Sequence, residues 1–158
     1  MTIHILNISH RDPAWVDDAT EVYNKRLQGH WQMQWHRFSP PELISSRNMS
    51  NGITTFGKTS ENILKRVNNS PFILLSEEGK LINSLEFSQQ LQSLLEQSQN
   101  IYFLIGAAEG IAQDIRQKAS AVWSLGRLTY AHPLVKVILA EQIYRAWTIQ
   151  IGHPYHNG

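Results

Sequence analysis

Two short runs, Phe72-Ile73-Leu74-Leu75 and Ile101-Tyr102-Phe103-Leu104-Ile105, constrain this chain more than anything else in it. Neither alternates with polar residues, so both read as strands buried on both faces. Between them Asn83 is followed by Glu86 three residues on, a capping box with Asn in the usual Ser or Thr place. Phe87, Leu91, Leu94 and Leu95 then continue as a helix. After the second run, Gly106-Ala107-Ala108-Glu109-Gly110 leads into a helix expected at about 111–121. Strand, helix, strand, helix with short joints requires parallel pairing, because parallel neighbours need a crossover. The expected fold class is α/β, a mostly parallel sheet with helices on both faces. The length of 158 residues suits a single domain over 1–158 with a real core.

The remaining elements fit that frame. Ile3, Ile5, Leu6 and Ile8 mark a strand over Thr2 to Ser9. Asp12-Pro13 reads as a helix start, Asp12 as N-cap and Pro13 at the first position. The helical period of Trp15, Val16, Ala19, Val22, Tyr23 and Leu27 runs to about Gln28, and Gly29 ends it. Trp31, Met33 and Trp35 alternate with Gln32, Gln34 and His36, the pattern of a half-buried strand. Those tryptophans read as core rather than as a base-stacking platform. Glu42 to Gly57 has no sustained period and is either a surface connection or a mobile loop over a site. Thr59 to Val67 is a short helix with Ile63, Leu64 and Val67 inward, and Ser76-Glu77-Glu78-Gly79-Lys80 reads as a turn.

The C-terminal third carries the densest signal. Trp123-Ser124-Leu125-Gly126 reads as a loop and Arg127-Leu128-Thr129-Tyr130 as short and β-prone. His132-Pro133 then starts a helix, proline being pre-set for a first turn. From Leu134 to Trp147 only Lys136, Glu141, Gln142 and Arg145 interrupt the apolar residues. A helix apolar on nearly every side packs on its own core with one face and on something else with the other. A second copy of the chain is the simplest such partner.

Composition excludes several classes. There is no cysteine, hence no disulfide framework and no thiolate metal site, which fits a reducing cytoplasm. The first residues, Met1-Thr2-Ile3-His4-Ile5, lack the basic and apolar regions of a signal peptide, and no apolar run of about 18 residues offers a membrane span. His153 and His156 have no third ligand nearby, so no metal is expected. A net charge of +1 is no nucleic-acid signature in bulk.

Ligands of open parallel sheets bind outside the carboxyl ends of the strands. Three such ends are expected here, at Leu75 to Gly79, Gly106 to Gly110 and Tyr130 to His132, with Leu125-Gly126-Arg127 leading into the third strand. Neither a G-x-G-x-x-G fingerprint nor a P-loop occurs in the chain.

Five segments in order carry a resemblance: Leu104 to Gly110, Trp123-Ser124-Leu125, His132-Pro133-Leu134-Val135, Tyr144-Arg145-Ala146-Trp147 and His153-Pro154-Tyr155-His156. Over nearly its full length the chain resembles the ribosomal RNA large subunit methyltransferase H family of SPOUT-class enzymes. That resemblance implies a C-terminal trefoil knot, a homodimer and S-adenosylmethionine as cofactor. It implies methyl transfer to N3 of a pseudouridine in large-subunit ribosomal RNA, on the assembled ribosome in the cytoplasm. Carried over by position, the cofactor site is Leu75, Gly106, Leu125, Gly126, Arg127, Leu128, Thr129 and Tyr130. Leu75, Leu125 and Leu128 suit an apolar slot for adenine. The candidates for handling the target proton are Glu109, His132, His153, Tyr155 and His156, with His153, Tyr155 and Glu109 taken as catalytic and Arg145 and His156 toward the RNA.

Alternatives stay open at single residues. Glu109 serves equally as a helix-terminal carboxylate, and His132 as an N-cap. The family's loop commonly reads Gly-Gly-Pro-Glu-Gly where this chain has Gly106-Ala107-Ala108-Glu109-Gly110, and a basic residue commonly stands at Asn157. A same-fold enzyme acting on another RNA, or an RNA-binding protein that has lost transfer, are the rival readings.

Overall fold

The computed structural model describes residues 1–27, 29, 31–40, 57–107 and 110–156. Its strands are β1 (Thr2–Ile8), β2 (Gln32–Phe38), β3 (Phe72–Leu81), β4 (Asn100–Ile105) and β5 (Ala121–Ser124). Its helices are α1 (Ala14–Arg26), α2 (Gly57–Val67), α3 (Ser84–Gln97), α4 (Gln113–Lys118) and α5 (His132–Gln150). The five strands form one sheet in the order β2-β1-β4-β3-β5, every pairing parallel. The expected class, α/β with helices on both faces, is the observed one. The loop expected over 42–57 lies outside the described residues except for Gly57, which opens α2.

Alternation along the strands divides the core into two layers. Ile3, Ile5, Ile73, Leu75, Phe103 and Ile105 face one side, where Phe87 and Leu91 of α3 and Leu139, Ala140 and Ile143 of α5 cover them. Leu6, Ile8, Leu74 and Leu104 face the other, under Ile63 and Val67 of α2 and Ile115 of α4. On the first side α5 lies between α1 and α3 and packs on both. The apolar circumference of α5 is therefore largely used within the chain itself.

Three local expectations need correction. Asp12 does not cap α1. Pro13 occupies the cap position with ψ 146°, and the Asp12 carboxylate instead accepts a hydrogen bond from Lys136 on α5. The two side chains are 7% and 6% exposed, so a buried ion pair has taken the carboxylate that local sequence assigned to the helix end. Second, Trp123 and Ser124 belong to a strand, and Arg127 to Tyr130 do not. Trp123 stands edge-on to Phe87 at 5.7 Å and lies 6.0 Å from Phe103, so core packing draws this segment into the sheet beside β3. The third carboxyl end is thus at Ser124, and the Leu125-Gly126-Arg127 loop leaves it rather than leading into it.

Third, the expected turn at Ser76 to Lys80 is a bulge within β3. Leu75 and Lys80 both pair with Trp123, so the residues between them are extruded from the ladder. Gly79 makes this possible: a Cβ there would sit 2.7 Å from the Trp123 carbonyl carbon and 2.8 Å from that of Val122. The fourth helix is also shorter than expected, at Gln113–Lys118. The Asn83 capping box forms as the spacing dictates, with Asn83 accepting from the Glu86 amide at 2.9 Å and Glu86 accepting from the Asn83 amide at 3.0 Å.

Candidate active site

At the carboxyl ends of neighbouring strands β3 and β4 the chain leaves in opposite directions, into α3 on one face and α4 on the other. That divergence opens a crevice, the place where open parallel sheets bind ligands. A cavity of about 370 Å³ lies there. Leu75 and Ser76 line it from β3, Ile105 and Gly106 from β4, Arg116 from α4, and His132 and Val135 from α5. Leu125, Gly126, Leu128, Thr129 and Tyr130 complete it from the segment after β5.

Every position carried over as cofactor-binding therefore lines one cavity, except Arg127. Arg127 points the other way and donates to the Glu77 main-chain carbonyl, while Thr129 Oγ1 donates to the Glu77 carboxylate at 2.9 Å. Glu77 sits on the β3 bulge, so the bulge ties down the loop that closes the cavity. Sequence reasoning missed Glu77; its signal was the acidic pair that ends an apolar strand run. Ser124 Oγ donates to the Gly126 carbonyl at 2.7 Å, fixing the start of the same loop. Gly126 has φ +153°, and a Cβ there would meet the Tyr130 hydroxyl at 3.0 Å.

His132 is the first residue of α5, neither the cap nor free in the cavity. Its Nε2 lies 2.7 Å from the Gly106 carbonyl oxygen. A carbonyl only accepts, so Nε2 carries the proton and the ring ties α5 to the β4 turn. Leu128, 71% exposed, and Tyr130 make no hydrogen bond with described residues, which leaves their main-chain groups open to a ligand. Apolar walls, two open main-chain segments and this volume fit an adenosyl group and a short charged tail.

The tail forms a second cluster. His153, Tyr155, Arg145 and His156 are brought together around Glu141 on α5. The Tyr155 hydroxyl donates to Glu141 Oε1 at 3.1 Å, and Arg145 Nε donates to the same oxygen at 2.9 Å. The Arg145 guanidinium lies over the Tyr155 ring at 4.9 Å and its NH1 donates to His156 Nδ1 at 3.3 Å. The Tyr155 amide donates to His153 Nδ1 at 3.1 Å. Burial, reinforced by the neighbouring Glu141 carboxylate, pushes the Tyr155 phenol up to about 12, so it remains a donor. Its hydrogen bonds to the Glu141 carboxylate hold the Arg145 guanidinium above its ordinary value.

No described tail residue lines the cavity of its own chain. Val135 lines the cavity and Glu141 anchors the tail, six residues or about 9 Å farther along the helix. Glu109 lies outside the described residues. Among the described residues there is no group of three His, Cys, Asp or Glu suited to hold a metal, and no helix long and apolar enough to cross a membrane.

A family model described as "Predicted SPOUT methyltransferase" matches residues 1–156. Proteins named ribosomal RNA large subunit methyltransferase H are similar from end to end. That of Saccharophagus degradans is 36% identical over 158 residues, covering 99% of this chain and 100% of its own. That of Thioalkalivibrio sulfidiphilus is 33% identical, covering 99% of each chain. Among solved structures, a probable methylase family protein from Haemophilus influenzae superposes with TM-score 0.55 at 12% identity, over 99% of this chain and 70% of the other. A protein described with the 2-OH methylation of C/U34 on tRNA gives 0.50 at 12% identity, over 96% of this chain and 98% of its own. At such identities the likeness is one of fold, and it agrees with the sheet described above. On a match that runs from residue 1 to residue 156, the chain belongs to the SPOUT methyltransferase family.

Proposed function

We propose that this chain is an S-adenosylmethionine-dependent methyltransferase acting on N3 of a pseudouridine in large-subunit ribosomal RNA, within the assembled ribosome in the cytoplasm. The observation that carries the reading is the convergence of Leu75, Gly106, Leu125, Gly126, Leu128, Thr129 and Tyr130 on one cavity in a chain of this family. Relatives named for large-subunit ribosomal RNA, matched along their whole length, support that substrate.

S-adenosylmethionine would supply a methyl group already activated on a sulfonium. The protein's own work is then alignment and removal of the N3 proton. The cavity residues hold and orient the donor, and their walls exclude water. His153, exposed at the tail, is the candidate to take the proton directly or through water. Tyr155, its one hydroxyl hydrogen held by Glu141, orients the target through its ring and its oxygen lone pair, and Arg145 and His156 face the RNA.

The tail does not enter its own cavity, so the site is incomplete in one copy. A homodimer in which each tail serves the partner's cavity resolves this. Trp15 and Val22 on α1 and Leu134 on α5 are 48%, 46% and 44% exposed on two helices packed against each other, an apolar surface suited to that second copy.

Incubation of ribosomes from a strain deleted for this chain with labelled donor tests the reading. Incorporation at one pseudouridine N3 is expected, in assembled ribosomes far above naked ribosomal RNA. Incorporation into another RNA only, or binding without incorporation, would replace the proposal by one of its rivals.

A further inference from the structure

A second concavity, of about 510 Å³, lies on the face covered by α2. His36, Arg37 and Phe38 of β2 and Asn62, Lys65 and Arg66 of α2 line it. Three of these six are cationic and none is acidic. Among the described residues Arg37, Lys65 and Arg66 enter no ion pair. In a chain of net charge +1 this is a local concentration of positive charge that the bulk balance conceals.

How Arg66 is held decides what the groove can do. Its NH2 lies 3.0 Å from His36 Nδ1 and 3.2 Å from His36 Nε2. A guanidinium only donates; Nδ1 is the nearer and Nε2 also faces His4, so Nδ1 accepts and the neutral ring carries its proton on Nε2. That Nε2 lies 3.0 Å from His4 Nδ1, and His4 Nε2 lies 3.2 Å from Asn100 Oδ1. The chain of donors runs Arg66 to His36 to His4 to Asn100, each imidazole neutral. His4 stacks on Tyr102 at 4.7 Å, which fixes its plane. Burial, with Arg66 and His4 alongside, keeps His36 down at about 4, in accord with this proton arrangement. The guanidinium is thus positioned by a neutral acceptor. A carboxylate in that place would cancel its charge; an imidazole leaves it available to an anion.

One end of the groove, at Phe38, reaches the level of the donor cavity. Phe38 is level with Ile8, and Ile105 with Asn7, so Gly106 stands level with Phe38. Only β1 separates β2 from β4, a distance of about 10 Å. A strand of nucleic acid whose base enters the donor cavity has its flanking phosphates within reach.

We propose that the Arg37, Lys65 and Arg66 groove binds the phosphate backbone of the RNA substrate beside the modified nucleotide. The choice of RNA rests on the methyltransferase reading above; the groove's affinity for a polyphosphate strand does not.

The test uses a labelled oligouridylate of about 20 nucleotides, which holds no pseudouridine, across about 50 to 200 mM salt. The triple variant Arg37→Gln, Lys65→Gln, Arg66→Gln changes three exposed side chains, and an unchanged urea midpoint reports that it is folded. Affinity at the lowest salt is expected to fall at least about tenfold. The slope of log K against log salt should fall by about 2, from three single-strand contacts at about 0.7 each. On ribosomes KM should rise while kcat holds. Equal affinity and slope in both proteins would overturn the proposal. So would polyglutamate of matched charge binding as tightly and weakening equally, since the groove would then be a protein-docking surface. Absent methylation by the unmodified chain would sink the enzyme reading while leaving the oligouridylate result to stand or fall alone.

Discussion

Tyr155 and His153 are divided in their chemistry by one carboxylate. Glu141 accepts a hydrogen bond from the Tyr155 hydroxyl at 3.1 Å, and burial raises that phenol to about 12. A phenol so held cannot serve as a base near neutrality, which favours the proposal that His153 takes the proton. His153→Ala and Tyr155→Phe are each expected to lower kcat on ribosomes at least about tenfold, with donor affinity changing far less. Loss of donor affinity in proportion to rate would instead assign the tail to the donor cavity. His36 gives a second expectation. Its native value is about 4 against an ordinary 6.5. Between those values the unfolded chain binds a proton that the native chain refuses. Stability from this site is full above about pH 6.5 and is lost as pH falls toward 4. Urea melts across that window should show the decline, and His36→Gln should flatten it; an equal decline in the variant would acquit His36.

At the scale of elements, the bulge in β3 joins fold to site. It carries Glu77 to the closing loop, and it exists because Gly79 lets its backbone lie against Val122 and Trp123. Gly79→Ala forces a Cβ into main-chain atoms, where no side chain can swing aside. A loss of about 1–3 kcal/mol in urea unfolding is expected, together with weaker donor binding. Gly106→Ala should fold normally, since a Cβ there meets only Ile111 side-chain atoms at 3.4 and 3.5 Å and a carbonyl oxygen at 3.7 Å. Lys136 and Asp12 make the opposite kind of joint, a buried pair between α5 and the lead-in to α1. Lys136→Met strands a buried carboxylate and should cost about 3–5 kcal/mol, most of it recovered by adding Asp12→Leu. A single variant within measurement error of the parent would mean that Asp12 is hydrated.

What the sequence conveyed at this scale follows from the range of each interaction. The Asn83–Glu86 box was legible because its partners stand three residues apart. The buried runs of β3 and β4 were legible because every side chain in them is apolar. Asp12 was misassigned because Lys136, 124 positions away, competes for it. β5 was misplaced by one segment because Gly126 suggests a loop and Thr129-Tyr130 suggest a strand. The deciding contacts, Trp123 on Phe87 and Phe103, join residues far apart in the chain. The residues proposed to hold the donor came through family likeness alone, since no local signal sets Leu128 apart from other leucines.

The whole molecule divides its chemistry between two places, a donor cavity at the divergence of β3 and β4 and a tail folded around Glu141. α5 holds both but keeps them apart, which is the ground for the proposal that two chains share a site. Light scattering at low micromolar concentration should give twice 18.1 kDa; a monomer would remove the shared-site account. The most direct measurement mixes two dead chains. Gly106→Val is expected to fill the donor cavity, and His153→Ala to remove the base. Unfolded and refolded together, they form mixed dimers in about half the population, each with one cavity and one tail intact on opposite chains. Transfer to ribosomes should return to about one quarter of the parental rate. A mixture as inactive as either variant alone, from chains that do dimerise, would contradict a site built across two copies.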